Sequence, residues 1–407
     1  MNGIIEYATL SSGVKVVLDH RAGIVEHCGV AVNAGSRDES PLHHGLAHFV
    51  EHTIFKGTRR RKAWHILNCM ETVGGELNAY TTKEETMLYS TFPSGNLTRA
   101  VDLIADIIIN SRFPATEIDR EREVVADEID SYLDIPSEGI FDEYEDLVFA
   151  GSSLGHNILG SRESIDTFTS DICREYLDRF YTPGEMVFFY SGPESPAKVC
   201  RVAERAFSTL SRHDVPRHRA TPDVLPPFDS RRDISSHQAH TLMGARVPGI
   251  SSLSRYALAL LTNILGGPGM NSRLNVALRE RRGLVYTIDA GTTLLSDCGL
   301  FNIYFGCDHA DVTRCRRLVC NILTEIAEKG LTERNLAAAK KQYLGQLAVA
   351  STNTEQQALS IARSTLYRGS ALTRQQITDN ISSVTRDDIL SIASHLTPDK
   401  ISTLTLG

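Results

Sequence analysis

The stretch that decides the fold is His48-Phe49-Val50-Glu51-His52. In an α-helix, positions i, i+3 and i+4 lie on one face, so the two imidazoles and the carboxylate would point the same way. Two such histidines can hold one metal ion, and the glutamate can reach a water beside that ion. A solvated helix face with the same three side chains is the simpler alternative.

The residues around this stretch predict a helix with one buried side. Ser40-Pro41 is a helix-start signal, and Lys56-Gly57 is a stop signal. Between them runs a mainly apolar stripe formed by Leu46, Phe49, Val50 and Thr53. Such a stripe would anchor the helix in a core and keep the polar triplet rigid, as a metal site requires.

A third metal ligand must come from elsewhere, because catalytic zinc sites use three protein ligands and leave one position open. The sequence predicts a helix over residues 116–133, with a capping-box-like start at Thr116. Glu121 and Glu128 are two turns apart and share one face of it. Spacing alone does not select them, because most of the many charges on this helix would be solvated.

Composition narrows the class of protein. The chain has 407 residues and a net charge of −8, which suits about two domains without a basic surface for nucleic acid. No apolar run approaches the length of a membrane span, and the N-terminus lacks the features of a secretion signal. The eight cysteines are scattered, without Cys-x-x-Cys, which favours free thiols. We therefore expect a cytoplasmic protein that binds neither nucleic acid nor membrane.

The chain also repeats itself. Residues 182–192 and 397–407 both read Thr-Pro, then a strand-like run, then glycine, and each follows a helix-like stretch that opens after a threonine, Thr169 or Thr385. This repetition predicts two similar domains, residues 1–211 and 233–407, joined by a linker at 212–232 that is rich in Pro, Arg and Asp.

Each half has the same order of elements. Extended stretches come first, then helices, then a hairpin, and then more helices. The hairpins are predicted at residues 77–82 with 86–92, and at 284–293 with 299–307. Strands and helices mixed in this way predict an α+β fold, in which each domain is a mainly antiparallel sheet covered by helices.

The motif and its continuation through Thr58 resemble the M16 family of zinc metallopeptidases, the inverzincins, which include pitrilysin, insulin-degrading enzyme and the mitochondrial processing peptidases. The family's last zinc ligand is a glutamate in a Glu-x6-Glu pair, and Glu121 and Glu128 stand in that pattern. The resemblance implies one Zn²⁺ per chain, with His48, His52 and Glu128 as ligands. Glu121 would orient a ligand histidine.

Two further segments resemble the family. The segment containing Asn78, Ala79 and Tyr80 is similar to its substrate-binding edge strand, where a peptide adds by backbone hydrogen bonds. Arg279 and Tyr286 match its Arg-x6-Tyr element, which implies that they hold substrate carbonyls. Without the resemblance, Arg279 would be interpreted as a surface charge. The turn at Ser191-Gly192-Pro193-Glu194 departs from the family's Gly-Asp, at a structural position.

The resemblance implies a zinc-dependent endopeptidase of the short, two-domain class, with Glu51 as the base. In that class two subunits enclose a chamber, so we expect a homodimer in which Arg279 and Tyr286 serve the partner's zinc site. Peptides or unfolded segments are the expected substrates. The alternatives are a non-catalytic structural or partner subunit and a zinc hydrolase of another fold. Manganese or cobalt could also occupy such a site.

Overall fold

The computed structural model describes residues 4–217 and 219–407. Its strands are β1 (Ile4–Thr9), β2 (Lys15–His20), β3 (Val25–Val32), β4 (Glu76–Thr81), β5 (Thr86–Pro93), β6 (Met186–Gly192), β7 (Asp229–Arg232), β8 (Ala239–Pro248), β9 (Val285–Leu294), β10 (Cys298–Cys307) and β11 (Ser402–Leu406). Its α-helices are α1 (Leu46–Thr53), α2 (Ala63–Glu71), α3 (Leu97–Asn110), α4 (Ala115–Leu133), α5 (Pro136–Val148), α6 (Arg162–Ile165), α7 (Ser170–Phe180), α8 (Pro196–Phe207), α9 (Arg255–Gly266), α10 (Val312–Lys329), α11 (Glu333–Ala350), α12 (Thr354–Arg368), α13 (Arg374–Ser383) and α14 (Arg386–Ala393).

The chain forms two compact units, and each is built from three chain segments. The first unit contains the chain up to Asp130 together with His156–Ala220 and Ser351–Leu372. The second contains Ser131–Gly155, Thr221–Ala350 and Thr373–Gly407. The predicted α+β fold of two similar domains is confirmed, with helices covering a mixed sheet in each unit.

The sheet of the first unit has the strand order β1-β2-β6-β3-β5-β4. The pair β2–β6 is parallel and the other pairs are antiparallel. Alternate residues of β2 point to opposite faces, so Val16 and Leu18 enter the larger core with α1, α3, α7 and α8. Val17 enters a second core on the other face. Both faces of the central strands are therefore apolar.

The second face of this sheet is covered by α12, from the C-terminal half of the chain. Ala358, Leu359 and Ala362 pack there against Val187 and Phe189 of β6. The predicted boundaries treated each half as contiguous, whereas this unit takes a helix from the far end of the sequence. Periodicity shows that a helix has an apolar face but not which sheet that face meets.

The sheet of the second unit has the order β7-β11-β8-β10-β9, with β7–β11 parallel. This order repeats β2-β6-β3-β5-β4 of the first unit, which is the structural form of the sequence repeat. The unit also takes a helix from the N-terminal half, since Tyr144 of α5 packs in its core and donates to the Ser402 carbonyl at 3.1 Å. Strand β7 lies inside the stretch predicted as a linker, 212–232.

Local predictions agree closely with the elements. Both hairpins form, as β4–β5 and β9–β10. Thr169 and Thr385 cap α7 and α14, each accepting a backbone N–H with its side chain. All eight cysteines lie in the described part of the chain and are free thiols. Among the described residues, no helix is both long enough and apolar enough to cross a membrane.

Candidate metal centre

Helix α1 carries the histidine motif, but it is shorter than predicted. The predicted start at Ser40-Pro41 is wrong, because Gly45 adopts a left-handed conformation (φ 95°) and the helix begins after it, at Leu46. Ser40 instead begins a turn, in which its carbonyl oxygen accepts the His43 N–H at 2.9 Å. Phe49 and Val50 are fully buried, as the apolar stripe predicted, and they fix the helix against the core.

Helix α4 brings a carboxylate to this face of α1. The predicted bounds, 116–133, match α4 to within one residue. Glu128 Oε2 lies 3.4 Å from His52 Nε2 and 3.7 Å from His48 Nε2. These three residues offer one ligand atom each, and the three atoms lie within 4.8 Å of one another.

The donor set fits a zinc ion. Ligands ~2.1 Å from a tetrahedral metal ion are ~3.4 Å apart, close to the two distances measured from Glu128. Two imidazoles and one carboxylate are also the donors of known catalytic zinc centres. The Glu128 side chain is 32% exposed, so the group can be reached from solvent. Little movement would be needed for these residues to bind a metal.

Glu121 holds the second histidine from behind. Its Oε1 accepts from His52 Nδ1 at 3.1 Å, which leaves Nε2 directed at Glu128. The other oxygen of Glu121 pairs with Lys56 Nζ at 2.7 Å, a contact that the sequence analysis missed. Burial alone would raise the pKa of Glu121, but hydrogen bonds from His52 and Lys56 together outweigh it and lower this pKa. Within the described residues, His48 Nδ1 has no hydrogen-bond partner. The His48 side chain is instead fixed by the residues that bury it.

The two histidines have opposite protonation tendencies. Burial, reinforced by the nearby His52, lowers the pKa of His48 to about 4, so its imidazole is neutral, as a metal ligand must be. Burial alone would lower the pKa of His52, but hydrogen bonds to Glu121 and Glu128 raise it to about 9. In the metal-free protein a proton on His52 therefore lies between two carboxylates, where positive charge is favoured.

Glu51 lies beside this group without being one of its three ligands. Burial raises the pKa of its carboxyl. A hydrogen bond with Thr81 and the charge of His52 oppose this effect, and the charge of Glu128 adds to it. A general base works best when its pKa approaches the working pH, so the shift is in the useful direction. A carboxyl with a raised pKa therefore lies close to His52 and Glu128.

The predicted substrate strand is an edge strand. Strand β4 ends the sheet order and pairs with β5 alone among the described strands. Ala79 faces the core that contains α1, and Asn78 and Tyr80 take the opposite face by alternation. The Tyr80 hydroxyl accepts from Arg363 of α12 at 3.1 Å. An extended chain could therefore add to β4, at the sheet edge that contacts α1.

The structure brings together His48, Glu51, His52, Glu121 and Glu128 in the first unit, whereas Arg279 and Tyr286 lie in the second. Arg279 is exposed on a π-helical segment, Asn275–Glu280. Tyr286 is on β9, an edge strand, where its exposed hydroxyl donates to Asp308 at 3.3 Å.

One prediction concerns His44, which stacks on His156 with ring centroids 3.8 Å apart. Burial, with the charges of His156 and Lys83, lowers the pKa of His44 from 6.5 to about 4. The unfolded chain therefore binds this proton at higher pH, and the associated stability is present above pH 6.5 and lost as pH falls towards 4. In urea unfolding of metal-free protein, wild type should lose stability over this range more steeply than His44→Gln. Parallel pH profiles would contradict this.

Comparison with known proteins agrees with this geometry. Residues 15–162 match the family profile described as Insulinase (Peptidase family M16), and residues 167–343 match that described as Peptidase M16 inactive domain. An uncharacterized zinc protease of Streptomyces coelicolor is 31% identical, over 96% of this chain and 87% of its own. One of Mycobacterium leprae is 32% identical, over 98% and 91%. A crystal structure of a protease from Helicobacter pylori, 20% identical, superposes with a TM-score of 0.90 over 100% of both chains.

The fold and the His-x-x-Glu-His motif thus match those of the two-domain peptidase family of the inverzincin type. The chain belongs to peptidase family M16, whose members among its relatives are named zinc proteases. The second half contains no His-x-x-Glu-His, in keeping with the description of the profile that matches most of it. Membership of a peptidase family implies peptide substrates.

Proposed function

We propose that this protein is a zinc-dependent endopeptidase that hydrolyses peptides or unfolded segments. The observation that carries the proposal is the convergence of His48, His52 and Glu128 on one point, with Glu51 beside them. A bound zinc ion would supply Lewis-acid polarisation of the scissile carbonyl and lower the pKa of a water. His48, His52 and Glu128 would hold that ion.

The chain's own residues divide the remaining work. The Glu51 carboxylate accepts a proton from the attacking water and later delivers it to the leaving amine. Glu121 fixes the ring of His52 through Nδ1. Strand β4 binds the substrate backbone at its free edge, where residues such as Asn78, Ala79 and Tyr80 lie.

The non-catalytic alternative is disfavoured by what the centre retains. A structural or partner subunit has no need of an intact constellation, yet His48, Glu51, His52 and Glu128 are all present. Glu121 contacts His52 Nδ1 with one carboxylate oxygen and pairs with Lys56 through the other. A zinc hydrolase of another fold is disfavoured, because the chain has the fold of M16 peptidase structures over at least 99% of its length.

A peptide-cleavage assay tests the proposal. Purified protein is incubated with a mixture of unstructured peptides, with and without a zinc chelator, and the products are read by mass spectrometry. We expect internal cleavages that stop with chelator and return when zinc is added back. Zinc-loaded wild type that leaves every peptide intact would refute the endopeptidase assignment.

Subunit assembly is the finer part of the proposal. Arg279 and Tyr286 are proposed to bind substrate carbonyls at the zinc site of a second copy, so that a homodimer completes its active sites in trans. Both elements are present in one chain, so one kind of subunit would suffice. Tyr286 is exposed and lies at a sheet edge, which leaves it accessible to such a substrate.

Mixing two inactive variants tests this arrangement. A Glu51→Gln chain keeps Tyr286, and a Tyr286→Phe chain keeps Glu51, so half of the sites in their mixed dimers would be complete. Co-expression in equal amounts should restore about a quarter of wild-type activity, because about half of the dimers are mixed. Each variant expressed alone is the control. Mixed dimers that are isolated by two tags and show no rescue would count against completion in trans.

A further inference from the structure

We propose that Glu39, together with the segment at residues 156–164, is a positioning device for the metal centre and holds the first turn of α1. We call this set of contacts, made by Glu39, His156, Gly160 and Ser164, the helix clamp. The proposal rests on the proposed function, since its purpose is to keep the metal ligands of α1 in register. None of its residues is a metal ligand or touches the reacting atoms.

The first contact is a cap supplied from a distance. Helix α1 starts after Gly45, which has no side chain to accept the free N–H groups of the first turn. The Glu39 carboxylate accepts two of them, with Oε1 2.6 Å from Ala47 N and Oε2 2.9 Å from Gly45 N. A negative charge at this position also interacts favourably with the positive end of the helix dipole.

The second contact fixes the carboxylate itself. Glu39 Oε2 also lies 3.1 Å from His156 Nε2, and the Glu39 side chain is completely buried. The His156 ring in turn stacks on His44, the residue just before Gly45. Burial raises the pKa of Glu39, against the effect of its backbone hydrogen bonds. Burying this carboxylate is costly unless the backbone N–H groups of Gly45 and Ala47 donate to it. The buried position of Glu39 and the start of α1 therefore stabilise each other.

The third contact is between backbones. A Cβ atom on Gly45 would lie 2.5 Å from the Leu159 carbonyl oxygen, and one on Gly160 would lie 2.3 Å from the His44 carbonyl oxygen. That same His44 oxygen accepts the Ser164 hydroxyl at 2.7 Å. The segment at 156–164 therefore lies directly against the entry to α1 and cannot shift without moving it.

These contacts affect function because α1 is short. It has eight residues, and His48, Glu51 and His52 occupy its third, sixth and seventh positions. A small rotation or fraying of the first turn would move His48 away from Glu128 and His52. Loss of the helix clamp should therefore raise the zinc Kd even in a variant that still folds.

The variant Glu39→Ala tests the clamp, and Thr385→Ala is the matched control. Thr385 also caps a helix, α14, but that helix lies in the second unit. The readouts are the zinc Kd by chelator competition, the visible spectrum of the cobalt-substituted protein, and hydrogen exchange of the α1 amides in metal-free protein. Glu39→Gln, which keeps the shape and loses the charge, serves if Glu39→Ala does not fold.

We expect Glu39→Ala to raise the zinc Kd about tenfold or more, to alter the cobalt spectrum, and to speed exchange of the Gly45 and Ala47 amides. Peptide hydrolysis should fall mainly through kcat. Thr385→Ala should lower stability and leave all these readouts at wild-type values. An unchanged zinc Kd in a variant whose α1 amides exchange faster would overturn the proposal. Should wild type bind no zinc, the proposed function fails, and amide exchange alone decides whether the clamp exists.

Discussion

Replacing Glu51 by Gln should leave zinc bound and abolish peptide hydrolysis. Glu51 is not among the three converging ligand atoms, so the metal content should stay at one zinc per chain. The amide of glutamine cannot take a proton from water, and general bases contribute roughly 10²–10⁴-fold to rate. We therefore expect kcat to fall by at least about 100-fold, measured on the peptide that wild type cleaves fastest.

The control for this variant is Glu71→Gln, which makes the same change at an exposed position on α2. It should retain wild-type kcat, KM and zinc content. If Glu51→Gln retained turnover with normal zinc content, Glu51 would not be the base. If the variant lost zinc, Glu51 would have to be reassigned as part of the metal-binding group.

Replacing Glu128 by Gln should remove both zinc and activity. Among the described residues, Glu128 is the carboxylate that lies within 4 Å of both histidines. A neutral amide oxygen is a much poorer zinc ligand than a carboxylate. The loss of a direct ligand should exceed the roughly 10–100-fold loss of affinity that follows removal of a supporting residue. We expect the zinc Kd to rise by more than about 100-fold, with hydrolysis lost in parallel.

Variants of two other glutamates on α4 provide the zinc Kd values with which Glu128→Gln is compared. Glu121→Gln should raise the zinc Kd about 10-fold to 100-fold, because His52 loses the charge that fixes its ring. Glu123→Gln, at an exposed position of the same helix, should have no effect. A Kd for Glu128→Gln that is no higher than that for Glu121→Gln would contradict the assigned roles.

The sequence predicts that these side chains lie close together, because the segments that carry them are local or periodic. The i, i+3, i+4 spacing of His48, Glu51 and His52 needs only a helix, and the apolar stripe with Phe49 and Val50 supplied one. The seven-residue spacing of Glu121 and Glu128 likewise places both on one face of α4. Choosing these two acids over their neighbours required the family resemblance, since nothing local distinguishes Glu128 from Glu123.

What the sequence did not predict depends on contacts between distant segments. The start of α1 was misplaced because Glu39, rather than the Ser40-Pro41 signal, caps it from six residues before the N-cap. Gly45, which readily adopts the left-handed conformation seen here, is the sequence signal for the true start. Helix α5 packs on the sheet of the second unit, and α12 packs on the sheet of the first. Hydrophobic periodicity does not predict this, because each sheet offers an apolar face to which either helix could bind.

The central claim is that one zinc ion is held by His48, His52 and Glu128. Anomalous diffraction at the zinc absorption edge, from crystals of protein loaded with one equivalent of zinc, tests it most directly. We predict one strong peak per chain, at about 2.0–2.2 Å from His48 Nε2, His52 Nε2 and a Glu128 carboxylate oxygen. A peak bound by other residues, or none at this position in fully loaded protein, would contradict the account.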